Sequence, residues 1–96
     1  MATYTFDGTK LKKGSNIIAN IRDNDIRKGD GSAVIGNMKG DDIRQGSGST
    51  VIFNIKDDEI RQGTGSTKVA SMKDVDNAID GPGKNFRAAL WLLCCR

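Results

Sequence analysis

Three consecutive stretches decide the fold: Ser15–Gly31 (SNIIANIRDNDIRKGDG), Ser32–Gly48 (SAVIGNMKGDDIRQGSG) and Ser49–Gly65 (STVIFNIKDDEIRQGTG). They overlay without a gap at a period of 17 residues, and seven positions are identical in all three. These are Ser15/Ser32/Ser49, Ile18/Ile35/Ile52, Asn20/Asn37/Asn54, the pairs Ile26-Arg27/Ile43-Arg44/Ile60-Arg61, and the glycines Gly29, Gly31, Gly46, Gly48, Gly63 and Gly65. Such self-similarity means that each unit is one supersecondary element, able to bury its apolar face only against its neighbours. A fourth stretch, residues 66–83, has one extra residue, places Ser71 where the asparagine stood and loses the Ile-Arg pair in Asp76-Asn77-Ala78-Ile79. It reads as a degenerate or capping copy.

Within a unit the apolar period is two. Ile17, Ala19 and Ile21 alternate with Ile18, Asn20 and Arg22, and Val51, Phe53 and Ile55 with Ile52, Asn54 and Lys56, which predicts strands of about six residues. A polar tetrad follows each strand: Arg22-Asp23-Asn24-Asp25, Lys39-Gly40-Asp41-Asp42, Lys56-Asp57-Asp58-Glu59. Asp and Gly interchange at positions 23, 40 and 57, as they do when one fixed turn geometry is being filled. Each unit is therefore expected to be a β-hairpin, joined to the next by Gly-x-Gly-Ser.

Hairpins in series either close around an axis or stack as a β-solenoid. Closure removes open sheet edges, and no hexapeptide rule of the solenoid kind is present, so a closed, propeller-like or barrel-like ring is the favoured expectation and the solenoid the alternative. The recurring Asn-[Ile/Met]-[Arg/Lys]-x-x-[Asp/Glu]-Ile-Arg-x-Gly-x-Gly-Ser resembles the small bacterial four-fold β-flower domains, over about Ser15 to Gly83. The resemblance implies an all-β, pseudo-four-fold flower. It implies no activity, and no functional residue is transferred by it. Residues 1–96 read as one domain, with an apolar, helix-prone segment at 84–96.

Composition narrows function mainly by exclusion. Net charge is +3, and the five aromatics (Tyr4, Phe6, Phe53, Phe86, Trp91) do not alternate with basic residues as a base-stacking surface requires, so nucleic acid is not an expected partner. The sequence holds no histidine, which removes the commonest general base and most zinc sites. The acidic turns lack the ligand ladder of a calcium loop. No cofactor or metal is expected, and the chain reads as non-catalytic. Met1 to Asp7 lacks the charged and apolar regions of a secretory signal, and Cys94 and Cys95 are adjacent, too close in sequence for an unstrained disulfide, which together point to a reduced, cytoplasmic protein.

Two groups of residues remain as candidate sites. Arg27, Arg44 and Arg61 recur at one position and would converge in a ring into a ligand site for phosphate or carboxylate, unless each pairs with Asp25, Asp42 or Glu59. Phe86, Leu90, Trp91 and Leu93 mark the tail, ten or so apolar residues that are too few to span a membrane. They would pack on the chain's own repeats or form the interface of a homo-oligomer. The repeated asparagines read as structural ties from side chain to backbone. The basic run Lys10-Leu11-Lys12-Lys13 reads as a solvated hairpin edge. The leading functional expectation is a binding or self-associating β-repeat module; a small-anion or small-ligand binder using the arginines is the alternative.

Overall fold

In the computed structural model, which describes residues 3–95, each of the three repeats is one antiparallel hairpin. The chain runs β1 (Tyr4–Phe6), β2 (Lys10–Lys13), β3 (Asn16–Arg22), β4 (Asp25–Lys28), β5 (Val34–Lys39), β6 (Asp42–Gln45), β7 (Val51–Lys56), β8 (Glu59–Gln62) and β9 (Lys68–Ser71). Helix α1 (Met72–Ala78), β10 (Ile79–Asp80), α2 (Lys84–Leu90) and a π-helical turn, Trp91–Cys95, complete it. The strands form one sheet ordered β10-β1-β2-β3-β4-β5-β6-β7-β8-β9. Neighbours along β1 to β9 are antiparallel, and β10 lies parallel to β1. Antiparallel pairing of successive hairpins within one sheet rules out the parallel coils of a solenoid.

The repeat identity has a local cause at each end of the hairpin. At the turn, Asp23, Gly40 and Asp57 take φ of 57°, 57° and 56°, the left-handed region that Gly and Asp enter at least cost. At the other end, the linker folds back identically in each unit. Gly29, Gly46 and Gly63 donate N–H bonds to the carbonyls of Ile18, Ile35 and Ile52 at 2.7, 3.1 and 2.7 Å. The asparagine amides then grip the same loops: Asn20 Nδ2 donates to the carbonyls of Gly29 and Gly31, Asn37 Nδ2 to Gly46 and Gly48, and Asn54 Nδ2 to Gly63 and Gly65. The structural reading of the asparagines thus meets its partners in all three repeats.

Between hairpins the register slips by one residue at every junction. Lys12 pairs with Ile17 and Leu11 with Ala19; Arg27 pairs with Val34 and Ile26 with Gly36; Arg44 pairs with Val51 and Ile43 with Phe53; Arg61 pairs with Lys68 and Ile60 with Ala70. The extra residues are Ile18, Ile35, Ile52 and Val69, so the repeated isoleucine is the bulged residue of a β-bulge. This corrects strict alternation along the strand. Ile18, Ile35, Ile52 and Val69 pack against the core, whereas Ile17, Val34 and Val51 do not, because a one-residue slip exchanges the faces of the sheet.

Leu11, Ile26, Ile43 and Ile60, one per hairpin, are fully buried, each contributing roughly 1.5–3 kcal/mol by its removal from water. Leu11 shows that the Lys10–Lys13 run is an interior strand of the sheet, not a solvated edge: Phe6 to Gly14 is a further copy of the hairpin, its linker two residues shorter than in the 17-residue frame. The degenerate stretch departs in the other direction. After β9, Ser71 N–H bonds Asp74 Oδ2 at 3.2 Å, and helix α1 replaces the turn, burying Met72 and Val75. The chain then enters β10 beside β1. Gly81 at φ 140° follows, where a Cβ would stand 1.9 Å from the Phe6 carbonyl oxygen. The architecture is therefore four hairpins plus a β9-α1-β10 unit. Among the described residues no strand pairing closes the sheet as expected; it stays open between β9 and β10, and α1 spans the two.

The tail lies on the chain's own sheet. Lys84 and Asn85 reach the turns of two hairpins, Lys84 Nζ pairing with Asp58 Oδ1 at 3.3 Å and Asn85 Nδ2 donating to Gly40 O at 3.2 Å and Asp41 Oδ1 at 2.9 Å. Ala88, Ala89 and Leu90 are fully buried, the alanines letting α2 approach the strands closely. Further on, Leu93 sits over Gly36, where a Cβ would lie 2.6 Å from its Cδ1. Among the described residues no helix is long and apolar enough to cross a membrane.

Two substitutions test this account by urea denaturation. Asn37→Ala leaves the Gly46 and Gly48 carbonyls without their donor at a buried position, and we expect a loss of about 1–3 kcal/mol. Leu90→Ala opens a cavity beneath the tail and should cost about 2–5 kcal/mol. A near-neutral Leu90→Ala would mean that the tail is not part of the core.

Candidate functional site

Arg27, Arg44 and Arg61 are the third residues of β4, β6 and β8. Each follows a fully buried isoleucine and so projects from the face opposite the core. Across the hairpin each stands opposite an asparagine, Asn20, Asn37 or Asn54; across the bulged junction each meets Val34, Val51 or Lys68. Lys12 holds the matching place in β2, opposite Ile17. The sheet thus sets a row of four cations on every second strand, about 10 Å apart at Cα from ordinary strand spacing. The three arginines share a face of the sheet, one on every second strand.

Their pairing differs. Arg61 Nη2 lies 3.1 Å from Glu59 Oε2, with its Nε 3.3 Å from the same oxygen. Glu59 is two residues back on the same strand, so the pair forms along the strand instead of across the hairpin. Asp25 and Asp42 occupy the equivalent places with one methylene less, and among the described residues neither Arg27 nor Arg44 forms an ion pair. The Nε atoms of Arg27 and Arg44 are buried with no hydrogen-bond partner.

The tail residues are distributed differently. Leu90 is wholly inside the chain's own core; Phe86, Trp91 and Leu93 are half-buried against it and keep part of their surface. Among the described residues no group of three or more His, Cys, Asp or Glu could hold a metal ion.

Cys94 and Cys95 are free, half-buried thiols. Burial pushes both upward, Cys95 to about 11, where the charge of Cys94 adds to the shift and a hydrogen bond with Tyr4 opposes it. Tyr4 in turn is raised, chiefly by the neighbouring Cys95 charge and then by burial. Both thiols are therefore protonated at neutral pH and weak as nucleophiles. An acid whose folded pKa lies above its unfolded value keeps its proton in the native state while the unfolded chain loses it, so stability falls as pH rises between the two. We expect unfolding midpoints in urea to decline from about pH 9 to about 11, and Cys95→Ser to flatten that decline; an equal slope in the variant would overturn the assignment.

No curated protein and no solved structure matches the chain. A family model described as 6-fold beta flower protein matches residues 2–82, ending before α2. The β-flower resemblance is met at that level, with six-fold standing where the repeats suggested four-fold, and the family's description names no activity. With most of its length covered, from ahead of the first hairpin to beyond β10, the chain belongs to the six-fold β-flower family.

Proposed function

We propose that the protein is a non-catalytic β-repeat binding module that takes an anionic partner along the row formed by Arg27 and Arg44, flanked by Lys12 and Arg61. The observation that carries the reading is that, among the described residues, Arg27 and Arg44 form no ion pair while Arg61 at the equivalent place does. The enclosed Nε atoms hold the two side chains in place, and a phosphate or carboxylate oxygen would supply the terminal Nη groups with the acidic partner they lack among the described residues. Arg61, held by Glu59, has less to gain. The spacing of the row suits a partner with several anionic groups better than one small ion, since a planar fork grips one oxyanion at a time.

The same reading keeps the protein out of catalysis. The row lacks a general base, and the raised thiols supply no nucleophile at neutral pH. Free thiols suit a reducing compartment, so cytoplasmic residence belongs to the proposal. Self-association through the tail is the weaker reading, because Leu90 is wholly buried and Phe86, Trp91 and Leu93 are half-buried in the chain's own core.

Titration with tripolyphosphate, followed through arginine Nε–H resonances, tests it. We expect the Arg27 and Arg44 signals to move most, and Arg27→Gln with Arg44→Gln to weaken binding about ten-fold or more at low salt, an effect that shrinks as salt rises. Unaltered affinity in the double variant, with its stability intact, would remove the reading.

A further inference from the structure

The tail and sheet border a second site, on the core side and away from the arginine row. A cleft of about 370 Å³ is lined by Ile18, Lys28, Ile35, Leu93 and Cys94. That volume lies near the lower end of the range for small-ligand sites. We propose that this cleft binds a small amphiphilic carboxylate, its hydrocarbon chain against Ile18, Ile35 and Leu93 and its carboxylate on the Lys28 ammonium.

Each part of the site has a distinct structural origin. Ile18 and Ile35 are bulged residues, and the bulge turns them toward the core side, where they form apolar walls a full strand alternation would have placed elsewhere. Leu93 reaches the sheet only because Gly36 lacks a side chain, while the equivalent residues are Ala19 and Phe53 in the neighbouring hairpins and Ala70 in β9. The π-helical turn holding Leu93 and Cys94 is wider than an α-helical one, and such turns recur at binding sites.

Charge selects the ligand class. Lys28 is the one cation in the lining, and among the described residues it forms no ion pair. Lys13 holds the corresponding place in the first hairpin and Gln45 and Gln62 in the next two, so the repeat does not require a charge there, and Lys28 is the copy that borders this cleft. Cys94 has its thiol pushed upward by burial and adds no competing anion at neutral pH. Lys28 is exposed, which sets its ammonium at the mouth of the apolar cleft, where a carboxylate gains a charged contact that a neutral chain of equal length does not.

Methyl resonances of isoleucine and leucine report the site directly, with decanoate, octanoate and decanol as probes. Decanoate should shift Ile18, Ile35 and Leu93 and leave Ile52, the equivalent bulged residue outside the cleft, in place. Octanoate, two methylenes shorter, should bind roughly ten-fold more weakly. Lys28→Met should weaken decanoate about five-fold without affecting decanol, and Lys28→Gln serves if that variant folds poorly. Ile35→Trp should block all three probes. The Arg27→Gln/Arg44→Gln double variant should bind decanoate normally, which separates this cleft from the arginine row. Failure of decanoate to bind, equal binding by the Lys28 variants, or shifts spread over Ile52 as well would overturn the proposal.

Discussion

The grip of each asparagine amide on two linker carbonyls is the interaction from which the architecture follows. An amide has two N–H donors, and the Gly-x-Gly loop presents two carbonyls in reach of them: Gly29 and Gly31, Gly46 and Gly48, Gly63 and Gly65. The loop is thereby fixed in one shape, and its first glycine N–H is aimed at the carbonyl of the bulged isoleucine. At three of the four junctions a loop so fixed leads into a strand one residue out of step, and the shorter Gly14-Ser15 linker gives the same slip at the first. That slip bends the strand and increases its twist, and with the bend repeated at each junction the sheet turns steadily in one sense.

A sheet bent in one sense has an inner side to fill. The four hairpin residues Leu11, Ile26, Ile43 and Ile60 begin the filling, and α1 and α2 complete it with Val75, Ala88, Ala89 and Leu90, all fully buried. Helices supply this better than a further hairpin would. The gap between β9 and β10 needs a thicker element than a turn, and the inner side accepts a slender helix with alanine at its contact face. Tethers from Lys84 and Asn85 to the hairpin turns set the direction in which that helix crosses the strands.

Much of this was legible in the residues. The hairpins, the shared turn geometry and the role of the asparagines are local, and local features recur in register with the period. The bulge was not legible, because alternation over Ile17 to Ile21 looks continuous; only a partner strand shows that Ile18 has none opposite it. The first hairpin was hidden by its shortened linker, which moves Leu11 to 15 residues before Ile26 and out of the 17-residue frame. A search for Gly-Ser closing an alternating run, instead of for a fixed period, would have found it. Helix α1 was signalled by Ser71 and Asp74 three residues apart and by Met72, Val75 and Ile79 at helical spacing, but the expectation of a fourth repeat outweighed both.

Invariance among the repeats has two different meanings here. Asn20, Asn37 and Asn54 are identical because each closes the same pair of hydrogen bonds, and the fold explains them fully. Arg27, Arg44 and Arg61 are just as invariant, yet the fold employs only Arg61, and that through Glu59, the one acidic residue of its set long enough to reach. An identity that two of three copies do not use internally is not accounted for by the frame, which is why the arginine row is read as facing a partner. The converse applies to Gly36 and Lys28. Both stand at positions that vary among the copies, Ala19, Gly36 and Phe53 in one case and Lys13, Lys28, Gln45 and Gln62 in the other, and both bear on one cleft. Repetition therefore builds the scaffold, and the sites are found where a repeated residue has no internal use or where the repeat leaves a position free to vary.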